Sequence, residues 1–355
     1  MSTSAPIPRT VCLLRLSAIG DTCHVVPLLR SLQAAWPDTR FTWVIGKTEA
    51  KLMGLIPGVE LIEYDKRSGY IGLLALRKRL RQRRFDVLLD LQHSIRASAV
   101  SLCIRADRRI GFDRARAREL QWLVTNERIP ARRNEHVLDS FLGFADALGV
   151  HARVNDWSLP LPAEAIARAR ELLPGNQFTL VISPCASHPL RNWSAERYAQ
   201  VADHAARYQG MRVLLCGGRS PREREMADAI LANSYTGPID LVGKDTLPEL
   251  LAVLARATVL LSPDSGPVHM ATLVNTPVIG LYAATRVARS GPYRSQRWCV
   301  DAYAEAARQF LGKTPQQLQW TQKIEQPGVM DLISVDQVVD QLNRLVVAVT
   351  VGRAA

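Results

Sequence analysis

The amino-acid sequence predicts an α/β protein built from two consecutive doubly wound, Rossmann-like domains. Short runs of β-branched residues alternate with longer amphipathic stretches throughout the chain, a pattern typical of parallel sheets covered by helices. A proline-rich stretch without periodicity, residues 155–162, separates two such series and is interpreted as the interdomain linker. At 355 residues, the chain is also long enough for two domains of ordinary size.

The individual elements follow from this alternation. In the first half, strands are predicted at 11–17, 41–46, 61–65, 85–92 and 109–112, with helices at 22–35, 48–55, 69–83, 94–105 and 135–148. In the second half, strands are predicted at 178–183, 212–216, 239–242, 258–262 and 277–281, with helices at 194–208, 220–233, 246–256 and 267–274. Apolar residues at helical spacing predict a closing helix over 334–349. The predicted divisions are residues 1–160, 161–330 and 331–355.

The net charge of +12 indicates an anionic partner. The excess is larger in the first half, where residues 77–84 form the densest basic run. A nucleic acid, an acidic lipid surface and a phosphorylated glycan are all candidates for that run, and so is a helix face that only contacts water.

Composition also places the protein in a cellular compartment. No stretch approaches the ~20 unbroken apolar residues of a membrane span, and the first ten residues lack the apolar core of a secretory signal. The six cysteines are scattered and include no C-x-x-C pair. We therefore expect a cytoplasmic protein with reduced, mostly buried thiols.

Ligands of open α/β sheets bind beyond the carboxyl ends of the strands, which draws attention to the strand-to-helix loops. The first such loop, residues 17–24, contains Gly20, which permits a tight turn, and Asp21, which stands at the start of the next helix. The loop has one glycine where a dinucleotide fingerprint needs three, so a nicotinamide site is disfavoured. By itself, the local pattern favours Asp21 as a helix cap over Asp21 as a catalytic base.

Two loops of the second half could hold a phosphorylated ligand. In residues 183–194, Ser187 could donate to a phosphate and Arg191 could neutralise one with two parallel hydrogen bonds, while Trp193 is expected to pack beneath the loop. In residues 262–271, Ser265 and Gly266 precede a proline and mark a helix N-terminus, which favours a pyrophosphate.

The 262–271 loop contains two further candidate residues, Asp264 and His269. Asp264 would repel a phosphate, so a sugar hydroxyl is its more plausible partner. For His269, a donor contact and an ordinary interior position remain equally open.

Together, four stretches of the chain resemble the ADP-heptose lipopolysaccharide heptosyltransferases of glycosyltransferase family 9. They are residues 14–21, 183–193, 215–225 and 262–271, which occur in the family's order and span almost the whole chain. The sequence is most similar to the heptosyltransferase I type, the branch that adds the first heptose to the inner core.

The resemblance implies a GT-B fold, in which two Rossmann-like domains face a cleft. The N-terminal domain would bind the acceptor, the C-terminal domain would bind ADP-heptose, and the closing helix would pack back on the N-terminal domain. The implied reaction is the inverting transfer of heptose to the Kdo region of lipid A. Asp21 would be its catalytic base.

The remaining roles are also carried by the resemblance. The donor would be held by Ser187, Arg191, Glu223, Asp264, Ser265, Gly266 and His269, with Glu223 at the adenosine ribose. Gly20, Lys66 and Arg67 would contact the anionic acceptor. No metal and no cofactor other than the donor substrate are expected, and the protein is expected to be a monomer, peripheral on the inner face of the inner membrane.

Two positions depart from the family pattern, and three other functions remain as alternatives. Arg191 stands where many members have lysine, and residues 281–286 lack the usual Gly-Pro-Thr followed by an acid. The alternatives are transfer from another nucleotide sugar or to a later core heptose, a nucleotide-sugar epimerase, and a nucleic-acid-binding protein. The last is disfavoured because no aromatic residue interrupts the 77–84 run.

Overall fold

The computed structural model describes residues 6–117, 119 and 121–354, with side chains as far as Val351. The chain divides after Pro160 into two compact units, at the same position as the predicted boundary. Residues 151–162, which contain the predicted linker, form no helix or strand. No helix in the described part of the chain is both long and apolar enough to cross a membrane.

The first unit is a six-stranded parallel sheet with helices on both faces. Its strands are β1 (Thr10–Leu14), β2 (Arg40–Gly46), β3 (Val59–Tyr64), β4 (Phe85–Asp90), β5 (Ala106–Gly111) and β6 (Glu127–Arg128). Its helices are α1 (Ile19–Ala35), α2 (Lys47–Met53), α3 (Gly69–Leu80), α4 (Ile95–Ser101), α5 (Gln121–Val124) and α6 (Val137–Ala147). The strand order is β3-β2-β1-β4-β5-β6.

Burial explains the two helical layers of this unit. The apolar residues of β1 are fully buried, as expected for a strand covered on both faces. Leu76 and Leu80 of α3 and Val100 of α4 join Leu14 and Val44 in one apolar cluster on one side of the sheet. Helix α1 packs instead against α2 and α6.

The second unit repeats the architecture with a longer chain. Its strands are β7 (Thr179–Ile182), β8 (Arg212–Leu215), β9 (Ile239–Asp240), β10 (Val259–Pro263), β11 (Val278–Tyr282) and β12 (Val300–Asp301). Its helices are α7 (Ala163–Leu172), α8 (Ala195–Gln209), α9 (Pro221–Asn233), α10 (Leu247–Arg256), α11 (Gly266–Leu273), α12 (Val287–Ser290), α13 (Tyr303–Leu311) and α14 (Val335–Ala354). All strands are parallel, in the order β12-β11-β10-β7-β8-β9.

Each sheet has one place where the chain reverses the direction in which it adds strands. In the first unit this switch point lies between β1 and β4, and in the second it lies between β7 and β10. The loops leaving the two strands at a switch point diverge to opposite faces of the sheet, which opens a crevice for a ligand at their carboxyl ends.

The elements predicted from the sequence are all present, with ends shifted by a few residues. The prediction missed β6 and β12, which have two residues each, and four helices: α5, α7, α12 and α13. Trp193 is buried and its indole N–H donates to the Ile333 carbonyl at 3.0 Å, which confirms the predicted packing role.

The closing helix α14 departs from the expectation drawn from the family resemblance. It was expected to pack on the N-terminal domain. In the structure, Val338, Leu342 and Leu345 of α14 are fully buried in the hydrophobic core of the second unit. The helix also packs against α8, and it therefore belongs to the second unit.

Asp90 predicts a dependence of stability on pH. It ends β4 and is fully buried, and burial raises its pKa to about 6. Because the folded state then holds a proton that the unfolded chain releases near pH 4, this group's contribution to the free energy of unfolding falls as the pH rises from about 4 to 6.

An Asp90→Asn variant has no charge to bury at neutral pH. We compare the free energies of unfolding of this variant and of wild type, and we expect the variant's value minus the wild-type value to rise between pH 4 and pH 7.5. The rise is at most ~3 kcal/mol, because one pKa unit corresponds to roughly 1.4 kcal/mol. Chemical denaturation at the two pH values measures the difference. Asp38→Asn at an exposed position is the matched control. Equal differences for both variants would contradict the assignment.

Candidate functional site

Asp21 is the third residue of α1 and follows directly from the loop after β1. Its carboxylate forms an ion pair with Arg15 and accepts a hydrogen bond from the Ala18 N–H at 3.4 Å. The helix N-cap is Ala18, so Asp21 caps the helix from its third position rather than from the cap itself. Because 36% of its side chain remains exposed, the carboxylate also stays accessible to a ligand.

Arg15 fixes this carboxylate and was not singled out from the sequence. Its buried guanidinium donates to the Leu91 carbonyl at 2.6 Å and lies 5.5 Å from the centre of the Phe141 ring. Leu91 follows β4, so Arg15 spans the switch point between β1 and β4. The available signal was a charged residue placed directly after a buried apolar strand.

The predicted acceptor residues lie near the same edge of the first sheet. Lys66 pairs with the buried Glu49 at 2.8 Å. That pair sits against Gly46, where an added Cβ would come within 2.4 Å of both Glu49 and the Leu16 carbonyl, so only glycine fits there. Leu16 continues from β1 towards the Asp21 loop, and the structure therefore places Lys66 beside that loop.

The other two acceptor candidates differ sharply in exposure. Gly20 is buried as the second residue of α1, where its contribution is to the backbone turn. The side chain of Arg67 is 93% exposed, and its guanidinium is 3.9 Å from Asp65. Arg67 is thus free to reach an anion in solution.

In the second unit, Arg191 occupies the centre of a cluster of charges. It lies in the short 3-10 turn Pro189–Arg191, and its side chain is largely buried. Two of its nitrogens, Nε and Nη2, donate to one oxygen of Glu325 at 2.8 and 2.6 Å, and Nη1 lies 3.6 Å from Asp264. A carboxylate therefore occupies the side of the guanidinium that would bind a phosphate.

Glu325 was not predicted from the sequence. Its neighbour Ile324 donates from its backbone N–H to the Ala284 carbonyl at 2.8 Å, which holds the segment beside the end of β11. Burial alone would raise the pKa of Glu325, but the hydrogen bonds and charge of Arg191 outweigh burial and lower it. Burial and the charge of Arg191 together lower the pKa of the nearby Lys323 ammonium.

The N-terminus of α11 lies on the other side of this switch point. Ser265 is its N-cap residue, but its hydroxyl bonds to Ser262 Oγ at 2.7 Å and takes no hydrogen bond from the helix. The amides of the first turn, starting at Gly266, therefore take no hydrogen bond from the Ser265 side chain, and uncapped amides at a helix N-terminus are the groups that bind anions. Ser262 also donates to the Ser183 carbonyl at 2.8 Å, which ties the two loops together.

Asp264, His269 and Ser187, the remaining predicted donor residues of segments 183–194 and 262–271, differ in their burial. Asp264 is partly buried and lies within 3.4 Å of the Ser290 hydroxyl. His269 is buried in the second turn of α11. Ser187 is exposed, while the neighbouring Ala186 N–H donates to the Asn192 side chain at 2.7 Å. The loop is thus pinned beside the serine and leaves its hydroxyl open.

Glu223 lies one strand farther along the sheet, after β8. Its two oxygens accept hydrogen bonds from the Gly218 N–H at 2.7 Å and the Ser220 hydroxyl at 2.6 Å. An added Cβ at Gly218 would lie 2.8 Å from the carboxylate, so the close approach depends on glycine. Asp245 in the next loop was also missed from the sequence, and burial raises its pKa to about 7.

The structure thus brings Arg191, Asp264, Ser265 and Gly266 together at one switch point, with Glu223 at the neighbouring strand end. A family model described as glycosyltransferase family 9 (heptosyltransferase) matches residues 73–319. The chain belongs to glycosyltransferase family 9. Its two units form the GT-B fold of that family.

Three relatives illustrate the similarity. The lipopolysaccharide core heptosyltransferase OpsX of Haemophilus influenzae is 39% identical over 95% of this chain and 97% of its own length. The solved family 9 glycosyltransferase of Veillonella parvula is 23% identical over 96% of this chain and 97% of its own, with a TM-score of 0.78. The solved structure of E. coli heptosyltransferase WaaC with ADP is 21% identical over 95% of this chain and 99% of its own, with a TM-score of 0.71.

Each unit of this glycosyltransferase offers a distinct chemical capability. The first presents a partly exposed carboxylate that is oriented by a buried arginine, as general base catalysis requires. The second presents a buried guanidinium and an uncapped helix N-terminus, which together suit a diphosphate.

The 281–286 loop, which departs from the family pattern, has a packing role in the structure. Arg286 donates to the Pro315 carbonyl at 2.6 Å and lies over the rings of Tyr303 and Trp320. Its guanidinium is therefore engaged by protein groups of the second unit.

Glu325 predicts a competition for Arg191. Glu325→Gln removes the charge that an anion must displace, while the amide oxygen can still accept a hydrogen bond from Arg191. We expect binding of inorganic pyrophosphate to tighten by about three- to tenfold, or ~1 kcal/mol, because 25% of the Glu325 side chain is exposed and solvent screens part of its pairing with the buried Arg191. Isothermal titration calorimetry measures the change.

The matched control is Asp331→Asn, which removes an exposed carboxylate 3.7 Å from Arg197 in the same unit. An unchanged or weaker affinity in Glu325→Gln, with Asp331→Asn like wild type, would show that Glu325 does not compete with the anion.

Proposed function

We propose that this protein transfers heptose from ADP-heptose to the Kdo region of lipid A, with inversion at the anomeric carbon. The observation that carries the proposal is the clustering of Arg191 and Asp264 with the uncapped terminus of α11 at a switch point. The identity of 39% with a lipopolysaccharide core heptosyltransferase supports the same reaction class.

Asp21 is the proposed catalytic base. Its ionised carboxylate removes the proton from an acceptor hydroxyl as that oxygen attacks the anomeric carbon of the heptose. The reaction asks the base only to accept a proton that is being lost in the transition state, so an ordinary carboxylate suffices. Arg15 orients this carboxylate and keeps one of its oxygens occupied, which leaves the other for the acceptor.

The leaving group of the proposed reaction is ADP. As the bond between the anomeric carbon and the diphosphate oxygen breaks, negative charge grows on the diphosphate. In this proposal, Arg191 and the backbone amides of the N-cap Ser265 and of Gly266 stabilise that charge without a metal ion. Ser187, which is exposed in the same loop as Arg191, donates a hydrogen bond to the diphosphate.

The rest of the donor is assigned by the same proposal. Glu223 accepts from the ribose hydroxyls, and Asp264 accepts from the heptose. His269 lies behind the diphosphate site on α11. Arg191 must exchange Glu325 for the diphosphate when the donor binds.

The acceptor is anionic through carboxylate and phosphate groups. Lys66, Arg67 and the turn at Gly20 form its proposed contacts on the first unit. The protein acts as a monomer on the inner face of the inner membrane, without a cofactor.

A later heptose acceptor is the second candidate. It is favoured by the relative OpsX, whose name places it on the lipopolysaccharide core without stating the position. The donor and the residues assigned to it are the same in both cases.

A mass-spectrometric product assay tests the proposal. Purified protein is mixed with ADP-heptose and either Kdo-lipid A or a core that already carries the first heptose, each with and without EDTA. We expect one added heptose on Kdo-lipid A, ADP release, and no effect of EDTA. Product on the heptosylated core alone would select the second candidate, and no product on either would contradict both. Competition by ADP, UDP and GDP identifies the nucleotide.

The base assignment predicts a large loss on removing the charge of Asp21. Asp21→Asn is expected to lower kcat by about 10²- to 10⁴-fold, the usual contribution of a positioned base. The KM for ADP-heptose should change little, because the donor residues lie on the second unit. Asp38→Asn is the matched control at an exposed position. Near-normal turnover in a folded Asp21→Asn protein would rule Asp21 out.

A further inference from the structure

We propose that the outer faces of α3, α4 and α5 form a surface that docks on an anionic lipid bilayer. The inference rests on the proposed function for its purpose, since that function requires a lipid-linked acceptor. It is carried by independent observations on exposure and charge in the first unit. The residues of this docking surface are Tyr70, Ile71, Leu74, Arg77, Lys78, Arg81, Ile95, Arg96, Leu102, Trp122 and Leu123.

The surface begins with an apolar stripe on α3. Leu76 and Leu80 bury one side of this helix against the sheet, while Tyr70, Ile71 and Leu74 lie on the opposite side. Tyr70 and Ile71 are 73% and 77% exposed. Side chains this exposed add nothing to the hydrophobic core of the unit, and large apolar groups in water are energetically unfavourable. Their grouping on one face therefore indicates an interaction surface.

Helices α4 and α5 continue the same exposed apolar side. Ile95 and Leu102 project from the two ends of α4, and Leu102 is 72% exposed. Trp122 and Leu123 are exposed on the short helix α5. Thus each of the three helices that cover this side of the sheet presents large apolar side chains to solvent.

Hydrogen bonds hold the three helices side by side. The Cys103 thiol donates to the Leu73 carbonyl at 3.6 Å, and the Arg105 guanidinium donates to the Arg81 carbonyl at 3.1 Å, so the segment that follows α4 is held against α3, which α4 also contacts. The Ile95 N–H donates to the Glu119 carboxylate at 2.8 Å, two residues before α5 begins. The apolar side chains therefore belong to one continuous surface.

Positive charge predominates on this surface, where Glu119 beside α5 contributes one exposed carboxylate. From residue 66 to residue 85 the sequence has eight Lys/Arg and no Asp/Glu, and residues 91–106 add two arginines and no acid. Arg83 and Arg84 at the end of the run form ion pairs with Glu60 and Asp107. In the described part of the chain, no carboxylate lies within ion-pairing distance of Arg77, Lys78 or Arg81.

Aliphatic and aromatic side chains interleaved with unpaired cations match an anionic bilayer better than they match nucleic acid. The cations would lie among the headgroups, where each contributes a factor of about five to partition, and the apolar residues would enter the acyl boundary. A nucleic acid would use the cations but would leave Ile71, Leu74 and Leu102 in water. Arg67 adjoins α3, so docking would bring the membrane close to the proposed acceptor contacts.

Flotation of the full chain with vesicles tests the surface. Vesicles of neutral phosphatidylcholine and of phosphatidylcholine with anionic phosphatidylglycerol are compared at low and high salt. We expect binding to the anionic vesicles only, weakened by salt. These vesicles contain neither donor nor acceptor. If the protein does not bind these vesicles, the proposed docking surface is overturned. That result would leave the proposed heptose transfer untested, because transfer is measured separately with a deacylated, soluble acceptor.

Two pairs of substitutions separate the apolar and charged contributions. Leu74→Ser with Leu102→Ser, and Lys78→Glu with Arg81→Glu, should each lower vesicle partition at least tenfold. The matched controls are Tyr208→Ser with Val347→Ser and Arg133→Glu with Arg170→Glu, which alter exposed residues elsewhere. Equal losses in test and control variants would overturn the proposal, as would DNA binding in place of vesicle binding.

Trp122 reports which face touches the lipid. It is the exposed tryptophan among the seven, all of which lie in the described part of the chain. Brominated acyl chains should quench the fluorescence of vesicle-bound protein, and Trp122→Phe should abolish most of that quenching. Quenching that survives in Trp122→Phe would place the contact on another face and contradict the docking surface. Circular dichroism and Tm verify that every variant is folded.

Discussion

The positions of Arg15, Asp21, Arg191 and Asp264 depend on where each parallel sheet reverses its direction of strand addition. Between β1 and β4, and again between β7 and β10, two adjacent strand ends send their chains to opposite faces of the sheet. The loops that leave such a point open a crevice at the carboxyl ends of the strands, where polar side chains from both loops can gather. Arg15 and Asp21 gather at the first of these points, and Arg191 and Asp264 at the second.

A buried arginine forms an ion pair with a carboxylate at both switch points, but the two ion pairs have different roles. Arg15 is tied to the Leu91 carbonyl, so it serves as a fixed support that presents Asp21 to solvent. Arg191 is held by Glu325, which a more highly charged anion can displace. Removing a buried guanidinium's partner without replacement is costly, and Glu325 therefore stabilises the charge of Arg191 within the second unit.

Much of this fold could be predicted from the sequence because its strands are buried and its helices are amphipathic. The edge strands β6 and β12 have only two residues each and escaped prediction, whereas the equally short β9 was predicted because Leu241 and Val242 lengthen its apolar run. Within the sites, residues in a loop directly after a strand, such as Asp21 and Ser265, could be named from local pattern and family resemblance. Glu325 could not, because it is 134 residues from Arg191 in sequence and no local pattern records their contact.

The basic run at residues 77–84 is a single feature of the sequence, but its residues have two different environments in the structure. Its last two arginines form ion pairs with Glu60 on β3 and Asp107 on β5, within the first unit. The earlier cations share a helix with exposed Tyr70, Ile71 and Leu74, whose apolar surface a merely solvated face would not retain. Charge alone could therefore not distinguish a water-facing helix from a docking surface, whereas unpaired charge combined with exposed apolar area favours the second.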